Sequence, residues 1–337
     1  MYYFIMPELD IRTNLATEQY LMNNKDFDAP LVLFYIQKPC IIVGRNQNTL
    51  EELNTAYVRE QQITVTRRLS GGGAVYDDLG NVSFSFVVNA EDESFGDFRK
   101  MVAPIVQALH QMGATGAEVS GRNDILIDGK KFSGNAMYTK NGKTFSHGTL
   151  SYDVDLDVLT QALRVNPDKI QSKGIKSIRS RVTNLRPYLK PEYQHLTTAQ
   201  FRDQLLLSLF AVPNLVAIQS QAYQLTAADR QAIADLKERY YANWDWVYGQ
   251  SPDFTVQKRK HFPAGTIDAR LQIKGGRIVA IKFYGDFFGQ KDVAELEEQL
   301  VGLAYTASVL EERCSELDLP AYFNRIDPQA ICTLIQP

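Results

Sequence analysis

The densest run of chemically useful residues is Arg67-Arg68-Leu69-Ser70-Gly71-Gly72-Gly73-Ala74-Val75-Tyr76. Three consecutive glycines let backbone N–H groups approach a bulky anion without obstruction by Cβ atoms. Two arginines just upstream supply positive charge and forked donors suited to phosphate or carboxylate. The phosphates of a nucleotide are the natural guest. The run is neither of the common phosphate loops, because no Lys-Ser/Thr follows at Walker A spacing and Gly-x-Gly-x-x-Gly is absent. The same composition also fits a flexible hairpin tip with incidental charges.

Three further clusters carry chemistry. Gly121-Arg122-Asn123-Asp124 precedes Gly129-Lys130-Lys131-Phe132-Ser133-Gly134. Asp124 opens an apolar strand, an expensive place for a carboxylate unless it is paired or exposed. Lys131 opens a strand after a tight turn, where a lysine can neutralise a carboxylate and a phosphate together; solvated hairpin lysines are the plainer alternative. Ser146-His147-Gly148-Thr149 sets His147 in a strand, either to orient a ligand or as a hydrogen-bonded core histidine. The basic, Gly-punctuated stretch Lys173–Asn184 can fold over an anionic intermediate or stay a solvated loop.

Other chemistries lack their residues. No serine or cysteine stands in a Gly-x-Ser-x-Gly setting. His110, His195 and His261 have no acidic or thiol neighbours at metal-ligand spacing. Cys40, at a strand end, reads as a buried structural thiol.

The elements that must position these residues alternate between strand and helix. Thr13 is a candidate cap for a first helix with Leu15, Gln19 and Met22 on one face. Leu31–Ile36, Ile41–Val43 and Ile63–Thr66 read as strands. In Val82–Val88 the apolar and serine positions alternate, which predicts a half-buried strand. Phe98 to Leu109 has helical spacing, with Pro104 marking a kink or a start. Asp128-Gly129 and Asn141-Gly142 predict two tight hairpins. Leu156–Val165, Thr198–Phe210 and Ala227–Tyr241 read as helices, with Thr226 capping the last. A turn-rich joint spans Trp244–Pro252. Beyond it, two strand-like runs flank Gly275-Gly276, and two helix-like runs follow, Asp292–Leu303 and Tyr305–Leu317. This predicts an α+β chain with a large part over residues 1–248 and a small strand–strand–helix–helix part over residues 252–337.

Composition narrows the function classes. At about 150 residues per domain, 337 residues suggest two domains. Thirty-six basic against 39 acidic side chains leave a net charge of −3, which argues against nonspecific nucleic-acid binding. No apolar run approaches the ~18 residues that span a bilayer, and no signal peptide is read. Three cysteines, widely spaced and odd in number, suggest neither a disulfide framework nor a zinc site, which fits a reducing cytoplasm.

In combination these segments resemble the lipoate–protein ligase A family. The resemblance is carried by Arg67-Arg68-x-Ser-Gly-Gly-Gly-Ala-Val-Tyr, Gly80-Asn81, Gly121-Arg122-Asn123-Asp124 and Lys131-x-Ser133-Gly134. His147-Gly148-Thr149-Leu150, Asn166-Pro167-Asp168-Lys169, Lys173-Gly174-Ile175 and Ser180–Leu185 extend it. It runs from the first helix to about residue 186 and resumes at Trp246–Pro252, which looks like the entry to that family's accessory domain.

The resemblance implies a catalytic domain related to biotin ligases and class II synthetases, with a central mixed sheet, plus a small α+β accessory domain. It implies activation of lipoate with Mg-ATP to lipoyl-AMP, then transfer to a lysine of apo-lipoyl domains. Those acceptors are E2 subunits of 2-oxoacid dehydrogenases and the glycine cleavage H protein. Arg68 and Gly73, Ala74, Val75 and Tyr76 match nucleotide-holding positions, and the amides of Gly71 and Gly72 join them as candidates through their own chemistry. Lys131 matches the lysine that touches both the lipoyl carbonyl and the adenylate phosphate. Asp124 and Arg181 are further candidates on the adenylate side, with Mg2+ near Asp124, and His147 is a candidate on the lipoate side. The Val82–Val88 and Leu31–Ile36 faces are candidate walls for the lipoyl chain. The rivals are a lipoyl- or octanoyl-transferase of the same fold, which works through a cysteine thioester without ATP, and a non-catalytic binder of the lipoyl ligand.

Overall fold

The computed structural model describes residues 1–89, 96–121, 123–164, 181–248 and 255–337. Arg122, the Asn166–Lys169 and Lys173–Ser180 motifs, and the Gly249–Pro252 joint lie outside them.

The main sheet combines β1 (Tyr2–Ile5), β2 (Leu31–Tyr35), β6 (Asn81–Asn89), β7 (Glu118–Ser120), β8 (Asp124–Ile127), β9 (Lys130–Lys140) and β10 (Lys143–Ser151) in the order β1-β2-β6-β10-β9-β8-β7. β1 and β2 run parallel and the remaining pairs antiparallel, so the sheet is mixed. A second sheet sets β3 (Cys40–Val43) between β4 (Thr64–Arg67) and β5 (Val75–Asp77). The glycine run connects β4 to β5.

Both hairpins form as the dipeptides predict. Asp128 and Gly129 adopt φ of 50° and 70°, Asn141 and Gly142 51° and 72°, the left-handed pair that matches strand twist. Thr226 caps helix Ala227–Leu236 in a capping box with Asp229.

Other expectations are corrected. The first helix spans Ile11–Asn24 and is capped by Asp10, whose carboxylate accepts from Arg12 N; Thr13 sits in the first turn and donates to Asp10. β6 is buried on both faces, not one, because Ser83 and Ser85 lie in the interior beside the apolar positions. One face of β2 and β6, with Val32, Phe34, Val82, Phe84 and Phe86, joins the cluster under helices Phe98–Gln111 and Thr198–Phe210. The other, with Leu31, Leu33, Tyr35 and Val87, packs under helix Ile11–Asn24. Helix Phe98–Gln111 runs through Pro104 without starting there. Helix Leu156–Ala162 ends before Val165.

The C-terminal part has a separate core drawn only from residues 256–335. It holds three strands, not two: β11 (Val256–Phe262), β12 (Gly265–Lys274) and β13 (Arg277–Gly285). β11 shows no apolar pattern, because Gln-Lys-Arg-Lys-His is polar; it is an edge strand, where exposed lysines are common. Helices Val293–Leu300 and Ala307–Glu316 lie where two helices were expected, and Leu319–Tyr322 and Pro328–Ile335 are added to them. Pro320 opens the first added helix instead of ending a fold element, because proline is tolerated in a first turn. Among the described residues no single helix is long and apolar enough to cross a membrane.

Candidate active site

The two arginines turn inward. Arg67 is buried, and Nε donates to Trp246 O at 2.9 Å. Its Nη1 donates to the carbonyls of Gly44, Arg45 and Gln47, and Nη2 to Thr49 Oγ1 and Val247 O. Arg68 is buried as well. It donates through Nε to Ser70 Oγ (3.0 Å), through Nη1 to Ile42 O (3.1 Å), and through Nη2 to Gly71 O (2.7 Å) and Gly73 O (2.8 Å). Burial lowers both guanidinium groups to about 10, so each is still a cation at neutral pH. Arg68 therefore acts in this structure by holding the Gly71 and Gly73 carbonyls, which fixes the path of the glycine run.

The run is packed tightly. A Cβ on Gly44 would sit 1.9 Å from Gly72 O, and Gly72 takes a φ of +89°, a conformation that side chains resist. Tyr76 is not a site-facing ring. It is buried in the cluster with Ile41, Val43 and Val65, and its hydroxyl reaches Asp78 at 3.4 Å; Ala74 and Val75 are half-buried beside it.

Behind Arg68 lies a relay that sequence reasoning missed. Ser70 Oγ is 2.7 Å from His147 Nε2, and His147 Nδ1 is 3.0 and 3.1 Å from the two Glu18 oxygens. All three residues are buried. Glu18 lies on helix Ile11–Asn24 beside the face of Leu15, Gln19 and Met22, where apolar spacing gives no sign of it. The available signal was a carboxylate in a stretch otherwise free of acids, Ile11–Asn24. His147 thus proves to be a hydrogen-bonded interior histidine, and it ties the glycine run to β10.

The lysine site adjoins it. In the antiparallel ladder His147 pairs with Ala136 and Gly148 with Asn135, and Gly134 N donates to Thr149 Oγ1. Gly134 therefore lies on the same face as His147, two residues along β9. The register of β8 with β9 shifts between Ile125 and Leu126, leaving Phe132 as an extra residue. Such a bulge reverses which side a residue faces. Lys131 Nζ accordingly stands over Gly134, where a Cβ would come within 2.9 Å of it, and pairs with Asp124 at 2.8 Å. Arg181 contributes its backbone carbonyl, which accepts from Lys131 N at 2.8 Å. Asn123 and Asn135 brace β8 against β9 through Asn123 Nδ2 to Asn135 O and Asn135 Nδ2 to Asn123 O. The predicted residues His147, Lys131 and Asp124 thus lie on neighbouring strands of one sheet, with the Arg181 backbone bound to Lys131.

The C-terminal part is seated on the glycine run. Gly72 N donates to Phe287 O at 3.4 Å, and Gly285 N to Asn46 O at 2.6 Å. Arg45 pairs with Asp292. Phe288 packs on Phe98, Ala136 and Met137. A groove of about 460 Å3 lies elsewhere, between Ile5, Met6, Leu9, Ile36, Leu79 and Arg202; of the predicted site residues only Ile36, at the end of the candidate wall Leu31–Ile36, lines it.

All three cysteines are buried, and Cys332 Sγ donates to Leu310 O at 3.7 Å inside the C-terminal core. Burial pushes the Cys40 thiol well above its ordinary range. Among the described residues no group of three or more His, Cys, Asp or Glu side chains can hold a metal ion.

Residues 10–210 match the family model of the lipoyl protein ligase A/B catalytic domain, and residues 251–335 that of the bacterial lipoate protein ligase C-terminus. The chain belongs to the lipoate–protein ligase family. Among its relatives in that family, the lipoate-protein ligase LplJ of Bacillus subtilis is 47% identical over 97% of both chains. Lipoate–protein ligase 1 of Staphylococcus aureus is 42% identical over 97% of both. A crystal structure of LipL1 of P. falciparum in complex with lipoate shares the fold over 99% of this chain and 98% of that one, with a TM-score of 0.80 at 22% identity. A bi-partite lipoate protein ligase from Thermoplasma acidophilum, analysed with its E2 lipoyl domain, covers 76% of this chain and 98% of its own, with a TM-score of 0.63 at 25% identity. The expected α+β ligase fold, with a central mixed sheet and a smaller C-terminal unit, is the one observed.

Proposed function

We propose that the protein is a lipoate–protein ligase that activates lipoate with Mg-ATP and passes the lipoyl group to a lysine of an apo-lipoyl domain. The observation that carries this reading is Lys131: a lysine turned by a bulge onto the face shared with the glycine run, with no usable thiol in the chain.

The first step joins two anions. A lipoate oxygen attacks the α-phosphorus of ATP, the P–O bond to the β-phosphate breaks, and pyrophosphate leaves. Lys131 and the N–H groups of Gly71 and Gly73 offset the repulsion between carboxylate and phosphate, while the Gly72 N–H is taken by Phe287 O. Mg2+ would arrive on the nucleotide and would offset the charge of its phosphates. In the second step the amine of the acceptor lysine attacks the lipoyl carbonyl. The C–O bond to AMP breaks, AMP leaves, and the amine proton goes to solvent. Lys131 stabilises the oxyanion and then the departing phosphate. The attacking nitrogen belongs to the partner, so the enzyme needs no nucleophile of its own.

Residues 1–248 form the catalytic domain in this reading and residues 252–337 the accessory domain. The acceptors are E2 subunits and the glycine cleavage H protein, met in the cytoplasm. The C-terminal family match and the buried thiols favour this activity over a cysteine-dependent acyl transferase, and the intact lysine site over a mere binder. The deciding assay follows pyrophosphate with Mg-ATP and R-lipoate while the mass of an apo-lipoyl domain is recorded. Pyrophosphate together with a lipoyl mass gain supports the ligase. Acyl gain only from a pre-acylated carrier, without pyrophosphate, would move the protein to the transferase class.

A further inference from the structure

The ion pair between Lys131 and Asp124 leaves about a third of each side chain exposed, 37% and 33%. Water competes for both charges in so open a pair, so it adds little to folding. Three features of the backbone nevertheless converge on it. The bulge turns Lys131 toward the face of Gly134, which lies directly across the ladder from Asp124. Gly134 has no Cβ where one would press within 2.9 Å of Lys131 Nζ and 3.1 Å of Cε. Segment 181–183 holds the Lys131 backbone at both polar groups, with Lys131 N donating to Arg181 O at 2.8 Å and Thr183 N to Lys131 O at 2.9 Å. The ammonium thus has a built resting place, over Gly134 and against Asp124.

We propose that Asp124 is a positioning residue, which holds Lys131 Nζ ready in the free enzyme and yields it to the lipoyl carboxylate and α-phosphate as the adenylate forms. This inference rests on the reading of Lys131 given above. A lysine ends a four-carbon stem with many rotamers. Ordering it only when substrate arrives would place that entropy cost on the chemical step. A carboxylate partner moves the ordering into the free enzyme. The same partner competes with the incoming anions for the ammonium, so it does not tighten their binding. Loss of the Asp124 charge must therefore appear in kcat and not as weaker binding of lipoate.

The test uses the full chain and pyrophosphate release with R-lipoate and Mg-ATP. Asp124→Asn is expected to lower kcat about tenfold or more. Its KM for lipoate stays equal or falls, and its melting temperature and the Mg2+ concentration for half-maximal rate are unchanged. Asp124→Glu, which restores the charge, is expected to recover most of the rate. Gly134→Ala, which displaces Nζ while keeping both charges, is expected to lose kcat as Asp124→Asn does. A wild-type kcat in Asp124→Asn or in Gly134→Ala overturns the proposal. So does a raised KM at unchanged kcat, and a raised Mg2+ requirement would make Asp124 a metal ligand instead. A wild-type protein that releases no pyrophosphate would refute the ligase reading itself, before any variant is compared.

Discussion

Ser70 Oγ stands 2.7 Å from His147 Nε2, a contact that ties the glycine run to the main sheet. Arg68 Nε donates to the same oxygen, and Glu18 holds the far nitrogen of the imidazole. Ser70→Ala would strand two buried nitrogen groups at once. Leaving buried polar groups unpaired costs about 1–3 kcal/mol each. The expected result is a lowered urea midpoint, with Ser70→Thr recovering most of the loss. An alanine variant as stable as the wild type would show that the relay carries no load.

Gly44 is required by the carbonyl of Gly72. A Cβ there would lie 1.9 Å from a backbone oxygen that cannot swing away. Gly44→Ala should displace the glycine run and weaken ATP binding by about tenfold, roughly 1.4 kcal/mol. Isothermal titration with a non-hydrolysable ATP analogue measures it. Unchanged affinity would mean that the run does not hold the nucleotide.

Asp77 gives a pH signature. It is fully buried in β5, and burial pushes its carboxyl up to about 7, although Gln37 Nε2 donates to it at 2.8 Å. In the unfolded chain the group titrates near ~3.9. Between those values the folded state holds a proton that the unfolded state has released. Stability contributed by this group therefore falls as pH rises from about 4 to 7, by up to ~1.4 kcal/mol per unit, and levels off above. Asp77→Asn has no such proton. The stability of wild type minus variant, from melts at several pH values, should decline across that window; a flat difference would count against the buried acid.

Lys131→Ala should keep the fold, because the side chain is partly exposed and its ion pair open. Adenylation should fall by about a hundredfold or more, as expected when a charge aimed at the reacting group is removed. Pyrophosphate release in a variant with an unchanged melting temperature measures this. Turnover like that of the wild type would refute the central assignment.

Much of the site was readable before folding was considered. The tripeptide Gly71–Gly73, the turn pairs Asp128-Gly129 and Asn141-Gly142, and Lys131 with Asp124 all speak through local chemistry. Backbone freedom and turn preference are properties of a few adjacent residues, and they survive in the linear chain. Both hairpins followed from them, whereas the ligase fold was implied by the family resemblance of the segments in combination.

Tertiary structure decided where the charges point. Arg67 and Arg68 read as ligand donors in the sequence, yet they spend their hydrogen bonds on the carbonyls of Gly44, Gly71 and Gly73, which only the packed loop brings within reach. Glu18 reaches His147 across 129 positions of sequence, a distance that no local pattern spans. Lys131 faces the site because a bulge inserts Phe132 into the ladder, and strand alternation alone would have aimed it the other way. The residue types set which reactions the chain could support. Long-range packing and one extra residue in a strand set which of those groups stand ready to perform them.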